Sequence, residues 1–246
     1  MRDEMKRVER GGWIVAGLLS TWLAGCVTQP DALPGPKPRA VLVAPTSVDT
    51  RLAEPLRAGA PQIHRMIAQL LWAQDVEVAA PALPEFSALW QDASRAAAAG
   101  ISDEGASALR EDLAVRALLD GLRARGERFD ALLVPYLTVR PGVVNGQSVL
   151  WDGVARRLPL DYRNRDAFFL VVRRRVEAPC TSLGVIAYDA RGERLFERIG
   201  GLEVAKRMWV SDDGHRRRWE DRDDLFQDER ALRSGVEVAL QPLLRN

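Results

Sequence analysis

Cysteine and histidine each occur only twice in the 246 residues. Four such side chains cannot build a multi-disulfide scaffold and leave almost nothing for a zinc site of Cys and His ligands. Net charge is also nearly absent, with 35 basic residues against 34 acidic ones. No global field draws in nucleic acid, so a nucleic-acid partner is not expected. The motifs of common chemistries are missing too: no Gly-x-Ser-x-Gly elbow, no Gly-x-x-x-x-Gly-Lys phosphate cradle, no Gly-x-Gly-x-x-Gly and no His-Glu-x-x-His. The expectation is a chain that is not an enzyme and carries neither cofactor nor metal. A content of 47% hydrophobic and 28% charged residues nevertheless belongs to a folded protein.

The chain opens on four basic residues, Arg2, Lys6, Arg7 and Arg10, followed by an uncharged, mostly apolar run from Trp13 to Ala24. About a dozen residues are too few for a permanent span, which needs roughly 20. A basic segment followed by a short apolar one is the layout of a secretory signal. The run ends in Leu23-Ala24-Gly25-Cys26, which resembles the bacterial lipobox, where small residues admit the lipoprotein signal peptidase before a lipid-modified cysteine. The competing reading is an amphipathic helix that happens to end in cysteine. The resemblance makes residues 1–25 the signal peptide, Leu23, Ala24 and Gly25 its recognition residues, and Cys26 the lipidation site and membrane attachment. Val27 stands where the enterobacterial sorting rule would need Asp to retain a lipoprotein at the inner membrane. The expected location is therefore the outer membrane, facing the periplasm.

Residues 26–38 read as a tether, because Pro30, Pro34, Pro36 and Pro38 exclude a helix or central strand. A folded domain is expected over 39–246. Its first strand is the apolar run from Ala40 to Ala44. Pro61 is expected to open a helix with Ile63, Met66, Ile67, Leu70 and Leu71 on one face. A strand over 76–80 completes a β-α-β unit with parallel pairing. Pro81 and Pro84 read as an irregular stretch containing Phe86, Leu89 and Trp90, closed by a small helix near 96–100. A longer helix follows, capped at Ser102 to Glu104, with Leu109, Leu113, Leu118 and Leu122 as its stripe and an end near Gly126.

Residues 130–140 read as a strand bulged or bent at Pro135. Strands over 147–154 and 167–177 enclose a polar insert, 156–166. A hairpin of 182–189 and 194–199 turns at Gly192. Asp228 caps a last helix with Leu232, Val236, Ala239, Leu240 and Leu243 inward. The expected fold class is α/β: a three-layer-like mixed sheet with a parallel β-α-β-α-β start and antiparallel hairpins later, flanked by helices.

That order resembles the periplasmic fold of the TolB amino-terminal domain and of curli-secretion-type lipoproteins. Val41-Leu-Val-Ala-Pro45, Phe129-Asp130-Ala-Leu-Leu-Val134 and the hairpin from Ala187 to Phe196 carry the resemblance, with Arg191 in place of the family's threonine. It implies binding or assembly rather than catalysis. The expected function is a lipid-anchored, non-catalytic accessory factor with other envelope proteins as partners. The alternative is a subunit of an oligomeric outer-membrane secretion channel, which would make the chain a homo-oligomer.

Among individual residues, His64 falls in the first helix between core positions and reads as structural or surface. His215 lies in a stretch of alternating arginines and carboxylates, 211–224, which is either a solvated loop or a ligand loop. Trp209 and Trp219 flank or lie in it, and with His215 they form a candidate partner surface; a core role for both rings is the competing reading. Trp72 and Trp90 sit in core-like contexts, and Trp151 is assigned to the polar-loop surface. Arg173 and Arg175 share one face of an expected strand and Arg174 the other. Cys180 has no partner once Cys26 is a thioether and reads as a small buried residue.

Overall fold

The computed structural model describes residue 33 and residues 35–48, 54–100, 107–161, 176–211 and 216–245. The expected helix cap at 102–104 and strand over 167–175, with Arg173, Arg174 and Arg175, lie outside them.

Strand β1 (Ala40–Val43) is apolar at every position because both its faces are covered. It pairs in parallel with β3 (Glu77–Ala79) on one side and β4 (Ala131–Asn145) on the other. Val41 and Val43 face helices α1 (Glu54–Trp72) and α4 (Glu229–Ala239), whereas Leu42 and Ala44 face α2 (Leu83–Gly100) and α3 (Ser107–Ala124). The period-2 alternation of a strand thus divides one apolar run between two helix layers. The expected parallel start is present, and the sheet then becomes antiparallel, as the mixed α/β class requires.

The spine of that sheet is β4. Along one side it pairs with β8 (Glu177–Asp189), and along the other it meets β1, β2 (Ser47–Val48) and β5 (Ser148–Trp151) in succession. Pro135 produces no register shift in the β4–β8 ladder, so the expected bulge is absent. The carbonyls of Leu133 and Pro135 face the β1–β2 side, accepting from the Ala44 amide at 2.8 Å and Ser47 Oγ at 3.4 Å. The N–H that proline lacks therefore falls at the break between β1 and β2, where the β8 ladder does not need it. Beyond β8 lies β9 (Arg194–Val204), with Gly192 at φ 83° in the turn between them. Residues 147–154 are not one strand. Asp152 (φ 38°) and Gly153 (φ 78°) turn the chain back into β6 (Val154–Arg157), and positive φ at both central residues is the hairpin geometry that matches strand twist.

Three helices differ from the sequence reading, two in extent and one in its buried face. Helix α1 begins at Glu54, placing Pro61 inside it, while its expected stripe from Ile63 to Leu71 is buried. Helix α2 replaces the expected irregular stretch, because Pro84 sits in its first turn, where the missing N–H has no intrahelical acceptor to lose. In α3 the buried stripe is Val115, Leu118, Leu119 and Leu122, with Leu113 exposed on the far side. Asp228 caps α4, its carboxylate accepting from the Ala231 amide at 3.0 Å. A short helix, α5 (Gln241–Leu244), ends the fold.

A second, smaller sheet contains β7 (Leu160–Asp161), β10 (Lys206–Val210) and β11 (Arg217–Asp221). It closes a separate core with Val149, Trp151, Val154, Leu158, Ala178, Cys180 and Val204. The described part of the expected polar insert thus holds the end of β6 and β7, and residues 217–221 of the expected charged loop are strand β11. Where β9 passes under α4, three glycines bring backbones together: a Cβ on Gly200 would lie 2.0 Å from the Gly235 carbonyl oxygen, and one on Gly235 would lie 2.2 Å from that of Gly201.

Candidate functional sites

Leu23, Ala24, Gly25 and Cys26 lie outside the described residues. The segment that follows them is stitched to the domain earlier than the sequence reading places the boundary. Leu33 packs against the core around α1 and α4, and Pro38 is buried. Lys37 Nζ donates to Gln74 Oε1 at 3.4 Å. The Arg39 and Ala40 amides both donate to Asp130 Oδ2, at 2.7 and 3.0 Å, and the Asp130 amide returns a bond to the Ala40 carbonyl at 2.8 Å. These residues form a strap across the amino ends of β1 and β4. Beneath it is a cleft of about 860 Å³ that also meets Asp189, Arg191 and Arg194 at the β8–β9 turn. Partial burial pushes the Asp189 pKa up, but the Glu193 and Arg191 amides and the Arg191 guanidinium outweigh it and hold the carboxyl below its usual range.

His215 also lies outside the described residues, but both candidate tryptophans are placed. Met208 is opposite Trp219 in the β10–β11 register, and Trp209 is opposite Arg218. Neighbouring residues of a strand face opposite ways, so the two indoles sit on opposite faces of the small sheet. Trp219 packs on the second core. Trp209 lies under the Arg218 guanidinium, 4.7 Å from ring centre to Cζ. The structure therefore does not gather them into one surface. Trp151 is buried, its Nε1 donating to the Thr181 carbonyl at 3.2 Å, and so is not a surface residue. Trp72 departs the other way: read as core, it is 57% exposed.

Within the expected solvated stretch, Arg222 turns inward. Its guanidinium donates to the Val204 carbonyl at 2.8 Å and to Asp224 Oδ1 at 2.7 Å, and its Nη2 is 3.5 Å from Glu203 Oε2. Glu203 is only 5% exposed, and neither carboxylate oxygen completes a hydrogen bond of good geometry. Burial raises its pKa, with the Phe226 and Asp228 amides and Arg222 pulling the other way. Sequence reading missed this group, although a lone carboxylate between Leu202 and Val204 in an apolar strand is a visible signal. Arg156 completes the seam between the cores, donating to the Leu202 and Ala231 carbonyls at 3.1 and 2.8 Å.

A further cleft of about 570 Å³ opens beyond the carboxyl ends of β1 and β3, walled by Pro45, Val48, Ala60, Pro61 and Leu83 with His64 and Thr46. Open α/β sheets often bind ligands at this end. Burial lowers the His64 pKa against a hydrogen bond with the Ala44 backbone, leaving the ring neutral at pH 7. Its Nδ1 and Thr46 Oγ1 are buried without partners. Among the described residues, no cluster of three or more His, Cys, Asp or Glu side chains is placed to hold a metal ion. No described helix is long and apolar enough to cross a membrane.

No protein-family model matches the chain, and no curated protein matches it. Among solved structures it is similar to a PelC dodecamer from Paraburkholderia phytofirmans, at 10% identity and a TM-score of 0.35, covering 89% of this chain and 95% of that one.

Proposed function

We propose that this chain is a lipid-anchored protein of the outer membrane, facing the periplasm, that serves as a non-catalytic binding or assembly accessory factor of the cell envelope. The observation that carries this reading is the match of Leu23-Ala24-Gly25-Cys26 to a lipobox directly after a short apolar segment. The strap supports it. A chain held by acyl groups at Cys26 meets its domain at Leu33, seven residues on, and enters β1 at Ala40, so an anchor there positions the domain rather than trailing it. Several buried acyl chains, each contributing about 0.8 kcal/mol per CH₂, make such an anchor permanent.

The test is metabolic labelling with a palmitate analogue, followed by membrane fractionation. The wild-type chain should label, lose residues 1–25 and float with outer-membrane fractions. Cys26→Ala should remain an unlabelled, full-length precursor. If that variant still matures and labels, the anchor is elsewhere and the reading fails.

A further inference from the structure

The geometry points to the bilayer itself as the partner of the strap end of the domain: the rim carrying Trp72 rests against the lipid surface that holds Cys26. The inference deepens the proposed function and rests on acylation at that cysteine. Six residues, 27–32, separate Cys26 from Leu33, which packs on the domain. At the fullest extension of about 3.4 Å per residue, the seven steps from Cys26 to Leu33 reach roughly 24 Å. From Leu33 the strap crosses the amino ends of β1 and β4, so this rim cannot stand farther from the lipid than that reach.

Trp72 lies on the same rim. The core stripe of α1 ends at Leu70 and Leu71, which leaves Trp72 turned outward. The chain then closes the helix through Asp75 at φ 57°, with the Val76 amide donating to the Leu71 carbonyl at 3.2 Å. Two residues past the indole, Gln74 accepts from Lys37 of the strap. Gln74 and Ala73 also line a cleft with Arg245. An exposed indole with basic side chains nearby is the composition that anchors proteins at the headgroup level, where the ring's apolar body and polar N–H are both accommodated. His64 lies eight residues back along α1, about 12 Å at 1.5 Å rise per residue, and the cleft it shares with Leu83 opens at the carboxyl ends of β1 and β3, away from the lipid.

The experiment uses the full acylated protein reconstituted into phosphatidylethanolamine–phosphatidylglycerol vesicles, with and without brominated acyl chains. Fluorescence of wild type minus that of Trp72→Phe isolates the indole. A second reporter, Leu83→Trp in the Trp72→Phe chain, samples the opposite end. The expected result is a blue-shifted Trp72 component that loses most of its intensity in brominated vesicles, while the Leu83→Trp component keeps its own. Equal intensities for Trp72 with and without bromine, in protein whose intact mass shows acylated Cys26 and which floats with the vesicles, overturn the rim contact and leave the anchor standing. Protein that is neither acylated nor vesicle-bound overturns the anchor, and the rim contact falls with it.

Discussion

The two sheets are built on opposite terms. In the large sheet, β1, β4 and β8 are covered on both faces and mostly apolar where buried, Thr181 and Ser182 being the buried polar exceptions, and close approach is achieved by removing side chains, as at Gly200, Gly201 and Gly235. In the small sheet, β10 and β11 bury one face only, through Met208, Val210 and Trp219, and place arginines and carboxylates on the other. The first derives its stability from packing density. The second is held by one apolar face and by an inward-turned Arg222 at the seam between them.

The sharpest break of that contrast is a methyl group at the glycine crossing. Gly235→Ala drives a Cβ into the Gly201 carbonyl, and overpacking of this kind costs about 3 kcal/mol. For a chain of this size that corresponds to roughly 10 °C in Tm; an unchanged melting temperature would mean that α4 and β9 shift apart freely. Arg222→Met tests the seam. Removing the arginine deprives Glu203 of its cation, at a cost of about 3 kcal/mol where the carboxyl is ionised. The raised folded pKa of Glu203 means that its contribution is fully present below the unfolded value and is lost as pH rises through the folded one. Urea midpoints should therefore diverge between variant and wild type at pH 8 and converge toward pH 4; a constant gap would refute the pairing.

Within the small sheet, Trp219→Ala should cost about 2 kcal/mol through lost packing. Trp209→Ala should cost less than about 1 kcal/mol, the worth of an exposed cation–π contact; equal losses would mean that both faces are buried. The smallest effect is chemical. Burial, reinforced by Asp152, pushes the Cys180 thiol up to about 12. The native protein should therefore leave Ellman's reagent unreacted until denaturant is added, and intact mass should show no bridge.

The same contrast explains what the sequence made legible. Where both faces of a strand are buried the signal is a plain apolar run: β1 falls where periodicity puts it, whereas β4, β8 and β9 include the expected segments to within a residue but each extends about five residues beyond them. Proline misled wherever its consequence depended on position: Pro84 in a first turn and Pro135 opposite a gap between partners are harmless, and only the tertiary arrangement shows it. At the seam beside the small sheet, the inward turn of Arg222 was not legible, because Glu203 is its neighbour in space but not in sequence. The faces of Trp209 and Trp219 depend on the β10–β11 register, which charge patterning alone does not encode.

Strand β1 has one more property, a mechanical one. A pull on the strap reaches β1 at its amino end, and that strand is flanked on both sides by parallel neighbours, β3 and β4. Force along the strand stretches both rows of hydrogen bonds together in shear instead of peeling them one at a time, as it would at a sheet edge. Past the Leu33 packing and the Lys37–Gln74 bond, the two amide bonds to Asp130 are the last holds before the strand itself. Tension from the amino-terminal side therefore meets a strand braced on both sides, one of whose neighbours is the spine β4.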